Sequence, residues 1–225
     1  MTLTNQQTAD YEKNGCLLFP GLLDGDEVAV LKDALPEVLA REGAEVVREQ
    51  DNPDAVRLVF GAHAYSDAFR RLSLHPRLLN PVRQLLDDEV YLHQSRINPK
   101  PGFGEGDAWA WHQDYPPWHK IDGMPEPRCV MASVFLDDCT PATSPLLILP
   151  GSQQHGLLEA DAHADTAGRG YDLQVIDPAV LAGLAETHGI EALMGPRPDR
   201  WPWSTATSCT ARPTTCRPGD ARSCT

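Results

Sequence analysis

Basic residues are scarce in this chain: 19 Lys and Arg stand against 32 Asp and Glu, a formal net charge of -13. That deficit argues against nucleic acid and anionic membrane as partners, because both need clustered cations. There is no apolar run of roughly 18 residues or more, and no basic-then-apolar opening, so the sequence reads as neither membrane-spanning nor signal-directed. The six Cys form no CxxC pair and no regular framework, which excludes zinc-ribbon and disulfide-scaffold readings. Cys16, Cys129 and Cys139 stand in apolar surroundings as small core residues. These absences leave an acidic protein whose default reading is soluble and cytoplasmic. Its 225 residues suffice for one domain with a real core.

Periodicity divides the chain. Thr4 to Asn14 reads as a short capped helix ended by Gly15, and Cys16 to Phe19 as a brief buried strand. Asp24 to Arg41 places Val28, Leu31, Leu35 and Leu39 on one helical face, with Pro36 as a kink point. His75-Pro76 opens another helix through Leu86, with His75 as a surface or cap residue. From Glu89 the period shortens. Val90 to Asn98, Ala108 to His112, Arg128 to Leu136 and Leu146 to Leu149 read as short strands between Pro, Gly and Asp turns. Strands at such intervals predict a sandwich or double-sheet barrel, with N-terminal helices packed on it. Glu159 to Gly189 reads as a loop and helix inserted between strands.

The chemistry-bearing motif is Trp111-His112-Gln113-Asp114-Tyr115. In strand-like sequence, residues two apart project to one face, so His112 and Asp114 would point together. An imidazole and a carboxylate are two-thirds of the facial triad that holds Fe(II) in non-haem oxygenases. A second His-x-Asp pair, His163-Ala164-Asp165, lies in small, polar, loop-like sequence and is set aside. His155 and His188 read as surface residues, and Tyr115 and His119 as packing residues.

Longer blocks surround the motif: His93-Gln94-Ser95-Arg96-Ile97-Asn98-Pro99-Lys100-Pro101-Gly102-Phe103, Trp118-His119, Asp122-Gly123-Met124-Pro125 and Pro145-Leu146-Leu147-Ile148-Leu149-Pro150-Gly151-Ser152. With these blocks the chain resembles the phytanoyl-CoA dioxygenase superfamily of Fe(II)/2-oxoglutarate oxygenases, and within it the bacterial ectoine hydroxylases and proline 4-hydroxylases. The resemblance covers most of residues 5–195. It implies a mainly β double-stranded β-helix, or jelly roll, with flanking helices. It implies Fe(II) as cofactor, 2-oxoglutarate and O₂ as co-substrates, His112 and Asp114 as iron ligands, and a small-molecule substrate taken by a monomer or homodimer. A retained Asp114 favours hydroxylation over halogenation. Lys100 matches a 2-oxoglutarate-binding lysine, and Ser133 a further co-substrate contact. Gln94, Arg96 and Trp118 match the substrate side. Where ectoine hydroxylases carry Phe-Glu-Thr, this chain has Tyr115-Pro116-Pro117, which leaves proline-like amino acids or a pathway intermediate as substrate. A non-catalytic relative that binds a ligand or partner through the same fold is the alternative, and a cupin-like metal isomerase or hydrolase a third reading.

The family pattern also requires a second histidine on a late strand and, about ten residues on, an arginine. Neither is expected here, because composition breaks at Pro196. From there to Thr225 the chain contains no Leu, Ile, Val, Phe or Met, but five Pro, five Arg and three Cys. Such a stretch buries too little apolar surface to order itself. Reading the tail one base out of register, with freely chosen synonymous codons, turns Trp203–Ala211 into Val-Asp-Cys-Asn-Leu-Val-His-Gly. The codons of Cys216–Ala221 then yield Ser-Pro-Trp-Arg-Arg. The expectation is an oxygenase domain over 1–195, truncated at its closing strands, followed by an out-of-frame, disordered tail over 196–225.

Overall fold

A computed structural model describes residues 1–49, 52–99, 110–139, 145–158, 160–161, 175–193 and 206–211. The first helix, α1 (Asn5–Asn14), begins where the sequence predicts. Thr4 and Gln7 close a reciprocal capping box, and Gly15, at φ 75°, ends the helix in the left-handed conformation. The chain then runs into β1 (Cys16–Leu23) and, through a second capping box made by Asp24 and Glu27, into α2 (Gly25–Leu39). Val28, Leu31 and Val38 are the buried face of α2, and Pro36 is accommodated inside it.

After β2 (Val46–Arg48) and β3 (Val56–Phe60) come α3 (Ala62–Tyr65), α4 (Asp67–Ser73) and α5 (Pro76–Leu86). His75 is the N-cap of α5: its Nδ1 accepts from the Arg77 N–H, while Pro76 fills the first helical position, where a missing N–H costs nothing. The cap reading of His75 holds. Next follow β4 (Arg96–Ile97), α6 (Tyr115–Lys120), β5 (Met131–Phe135) and β6 (Leu146–Ile148). The chain continues as a 3₁₀ turn (Ser152–His155), β7 (Ala160–Asp161), β8 (Val175–Ile176), α7 (Pro178–His188), β9 (Glu191–Leu193) and β10 (Ala206–Ala211).

Pairing gives two three-stranded sheets, β1-β10-β5 and β2-β3-β4, and two ribbons, β6-β9 and β7-β8. The expectation of a mainly β molecule is corrected: the described residues mix helix and strand, and their sheets do not close into a barrel. The predicted strand over Val90–Asn98 shrinks to Arg96–Ile97. The expected absence of a late strand is also corrected. Ala206–Ala211 lies antiparallel between β1 and β5, pairing with Cys16–Leu23 on one side and Met131–Phe135 on the other.

The core lies between these sheets and the helices. Leu23, Val28, Leu31, Val38, Val59, Ala62 and Phe69 form one apolar cluster, and Leu3, Phe19, Leu22 and Leu78 another. Val134 of β5 packs against both. Because side chains alternate across a strand, Val134 fixes which face of β5 meets the helices, and its neighbour Ser133 takes the opposite one. Within β3, Arg57 (1 % exposed) forms a buried ion pair with Glu49 at 2.8 Å, so neither charge is left unpaired.

Candidate metal centre

His112 and Asp114 converge, although not by the strand geometry the sequence suggests. His112 makes an isolated antiparallel bridge to Val175, and the Ile176 N–H donates to the Trp111 carbonyl at 3.0 Å. Asp114 is already helical in backbone conformation (φ -75°, ψ -28°) and is the residue from which α6 starts. The turn from bridge to helix, with Pro at the first positions of α6, brings His112 Nε2 within 3.6 Å of Asp114 Oδ1. Between them, Gln113 turns outward: its side-chain amide donates to the Gly156 carbonyl at 3.0 Å and accepts from the Leu158 N–H at 3.0 Å.

The imidazole is oriented from behind. His112 Nδ1 lies 2.6 Å from the Ala110 carbonyl, an acceptor only, so Nδ1 donates there and Nε2 is the nitrogen left facing Asp114, where it donates to the carboxylate or would offer its lone pair to a metal. This is how metal-ligating histidines are commonly held. Arg96 Nη2 donates to Asp114 Oδ1 at 2.9 Å, with both side chains about four-fifths covered. Burial pushes the Asp114 carboxyl up, but the bond to His112 and the charge of Arg96 outweigh it and hold Asp114 well below the usual carboxylate range. His112 moves the other way. Burial lowers it, yet the bond and charge of Asp114 raise it on balance.

An oriented imidazole and a committed anion on one face suit a divalent transition metal. Among the described residues no third His, Cys, Asp or Glu joins them. His119 does not, because its Nδ1 is held at 2.7 Å by the Met124 carbonyl while its ring stacks on the buried Tyr115.

The remaining sequence candidates fall around this pair. Trp118, on α6, is half-buried and meets His93 edge-on at 5.4 Å, and His93 Nε2 reaches Asp122 Oδ2 at 3.1 Å. Gln94 is exposed beside Arg96. Ser133 is half-buried on β5, opposite Cys209 of β10. Lys100 and the His163-Ala164-Asp165 pair lie outside the described residues. Two features escape sequence reasoning. The Ala110 carbonyl carries no side-chain signal at all. Cys129, whose thiol burial and then the charge of Asp114 push up to about 12, lies in the field of the pair. Cys129 precedes β5 by two residues, so the Met131 end of β5 is its Asp114 end. In the sheet register Met131 stands opposite Ala211 and Ala132 opposite Thr210.

This bridge-to-helix site sets an imidazole and a carboxylate two residues apart on one face, a candidate metal centre. The family model for phytanoyl-CoA dioxygenase (PhyH) matches residues 11–221, and the chain belongs to that family. It is 36% identical over 200 residues to the ectoine dioxygenase of Sphingopyxis alaskensis, covering 86% of this chain and 65% of that enzyme. It is also 36% identical over 195 residues to the L-proline trans-4-hydroxylase of Streptomyces griseoviridis, covering 83% of this chain and 72% of that one. The crystal structure of EctD from S. alaskensis with 2-oxoglutarate and 5-hydroxyectoine superimposes with a TM-score of 0.77 at 33% identity. That match covers 94% of this chain and 68% of EctD. The chain thus spans somewhat under two-thirds of the length of the ectoine dioxygenase, 65%.

Proposed function

We propose that the protein is an Fe(II)- and 2-oxoglutarate-dependent dioxygenase that hydroxylates an unactivated C–H bond of a small amino-acid-like molecule or biosynthetic intermediate. The observation that carries this reading is the His112–Asp114 pair, with its tautomer fixed by the Ala110 carbonyl and its carboxylate kept anionic. The names of the relatives, an ectoine dioxygenase and a proline hydroxylase, support the substrate class.

His112 Nε2 and Asp114 would hold the iron, which when bound supplies the oxidation of the C–H bond, with 2-oxoglutarate and O₂ consumed. Asp114 contributes the anionic ligand, and Arg96 keeps it ionised. Lys100 would pair its ammonium with a 2-oxoglutarate carboxylate, and Ser133 would hydrogen-bond the co-substrate. Gln94 and Trp118 would face the substrate, with Arg96 between them and the metal. Tyr115 is buried and Pro116 and Pro117 open α6, so that wall is rigid where ectoine hydroxylases have Phe-Glu-Thr. A proline-like substrate suits it better than ectoine.

The 225-residue form is itself expected to turn over little, because it lacks the second histidine and the arginine. On this reading 196–225 is an out-of-frame segment, and β10 is a family strand position filled by the wrong residues. A strand flanked on both sides yet composed of Ala-Thr-Ser-Cys-Thr-Ala, with no larger apolar residue to pack, agrees with that. The test is succinate formation from 2-oxoglutarate by the frame-restored chain, with proline and ectoine compared as prime substrates. Succinate that does not depend on Fe(II), or none with either substrate or related amino acids, would refute the assignment.

A further inference from the structure

His155 and His188 are far apart in sequence and have no part in the centre described above, yet their Nε2 atoms lie 2.7 Å apart, with ring centroids at 4.9 Å and planes at 90°. Each ends a helical segment: His155 the 3₁₀ turn, before Gly156, and His188 the helix α7, before Gly189. The exposed carbonyls at a helix C-terminus favour a cation nearby.

The turn bearing His155 is tightly anchored. The buried Gln153 donates through Nε2 to the carbonyls of Glu12 and Lys13, both at 3.1 Å, and Gln154 Nε2 donates to Lys13 O at 3.3 Å. The Gly151 N–H donates to Asn14 O at 2.9 Å. Gly151 has φ 82°, and a Cβ built on it would approach His188 Nδ1 to 3.2 Å. A side chain there would therefore crowd the His188 ring from its present place. On the other side, α7 is seated by the buried Leu184 and capped by Asp177, whose carboxylate accepts from the Ala179 and Val180 N–H groups. Two rigid supports thus aim two imidazole nitrogens at one point, with His155 exposed and His188 half-buried.

We propose that His155 and His188 form a two-imidazole site for a late first-row divalent cation such as Zn(II), with water completing its coordination. Nitrogen ligands at about 2.1 Å on a tetrahedral ion stand about 3.4 Å apart, so the rings must open by about 0.7 Å, within reach of small side-chain rotations. Without the cation one Nε2–H donates to the other Nε2. With it both Nε2 lone pairs turn to the metal, and the donor ring takes its proton on Nδ1 instead, so the two imidazoles stay neutral.

The test is calorimetric titration of the chain with ZnCl₂ in the His112→Ala/Asp114→Ala background, where the other candidate centre contributes nothing. One equivalent is expected to bind in the micromolar range, and His155→Ala and His188→Ala should each weaken it on the order of tenfold or more. His155→Gln, which retains a polar side chain, serves as a second variant, with circular dichroism confirming the fold. In parallel, zinc should shift the ring resonances of His155 and His188 and leave those of His63 in place. No binding in this background, or zinc binding unchanged by either alanine, as when the cysteines of the tail take the ion, would overturn the proposal.

Discussion

Arg96 Nη2 lies 2.9 Å from Asp114 Oδ1, the same carboxylate oxygen that faces His112 Nε2. The arginine that sequence resemblance assigns to the substrate side therefore also acts as the counter-ion of the candidate metal ligand. Both side chains are about four-fifths covered, so water screens the pair only weakly.

Removing that cation should leave a buried anion with a single partner. Arg96→Met is expected to destabilise the metal-free fold by roughly 3 kcal/mol, as breaking buried pairs does. Because Co(II) would replace the missing positive charge, adding it should recover part of the loss. Urea unfolding of parent and variant, with and without Co(II), measures both effects. A variant as stable as the parent would mean that Asp114 does not depend on Arg96.

In the frame-restored enzyme, Asp114→Ala should abolish hydroxylation, since it removes the only anionic protein ligand and the geometry it imposes. Product formation assayed by mass spectrometry decides this, and activity equal to the parent's would defeat the assignment of Asp114.

Local signals were the most legible in the sequence. Thr4, Gly15, Asp24 and His75 start or stop helices where their cap chemistry says they should. The convergence of His112 and Asp114 was legible too, but for the wrong local reason: Asp114 reaches His112 from a helix start rather than along a strand. Non-local pairing was not legible. Val90–Asn98 alternates well enough to read as a strand, yet only Arg96 and Ile97 find a partner, on Phe60 and Val59. Ala206–Ala211 carries no strand-forming hydrophobic pattern, and it is a strand because β1 and β5 flank it. The Arg96–Asp114 and His155–His188 contacts join residues 18 and 33 apart, separations at which side-chain period says nothing.

Glu27 ties two helix starts together. It receives the Asp24 N–H in the α2 capping box and pairs with Arg77 and His75 at the start of α5. Burial pushes its carboxyl up, but the Asp24 N–H, then Arg77 and His75, bring it below the usual value. A lowered folded pKa contributes stability above the unfolded value of about 4.3 and loses it as pH falls through the folded one. Glu27→Gln should therefore cost about 1 kcal/mol at neutral pH and show a shallower loss of stability on acidification below about pH 4.5. Chemical denaturation at a series of pH values reads this out, and parallel pH curves for parent and variant would remove Glu27 from the account.

The last prediction concerns β10. If one base is missing upstream of the tail, each restored codon combines the last base of one present codon with the first two of the next. The histidine then falls at residue 210 and the arginines at 220 and 221. Thr210 stands opposite Ala132 near the Met131 end of β5. The frame-restored chain should bind stoichiometric iron, stay soluble and make succinate, whereas the 225-residue form should bind iron weakly and aggregate more readily. Solubility, metal content and succinate are measured side by side for the two proteins. If the 225-residue form holds stoichiometric iron and matches the succinate rate of the restored chain, the frame argument is wrong, and its third ligand lies elsewhere in the chain.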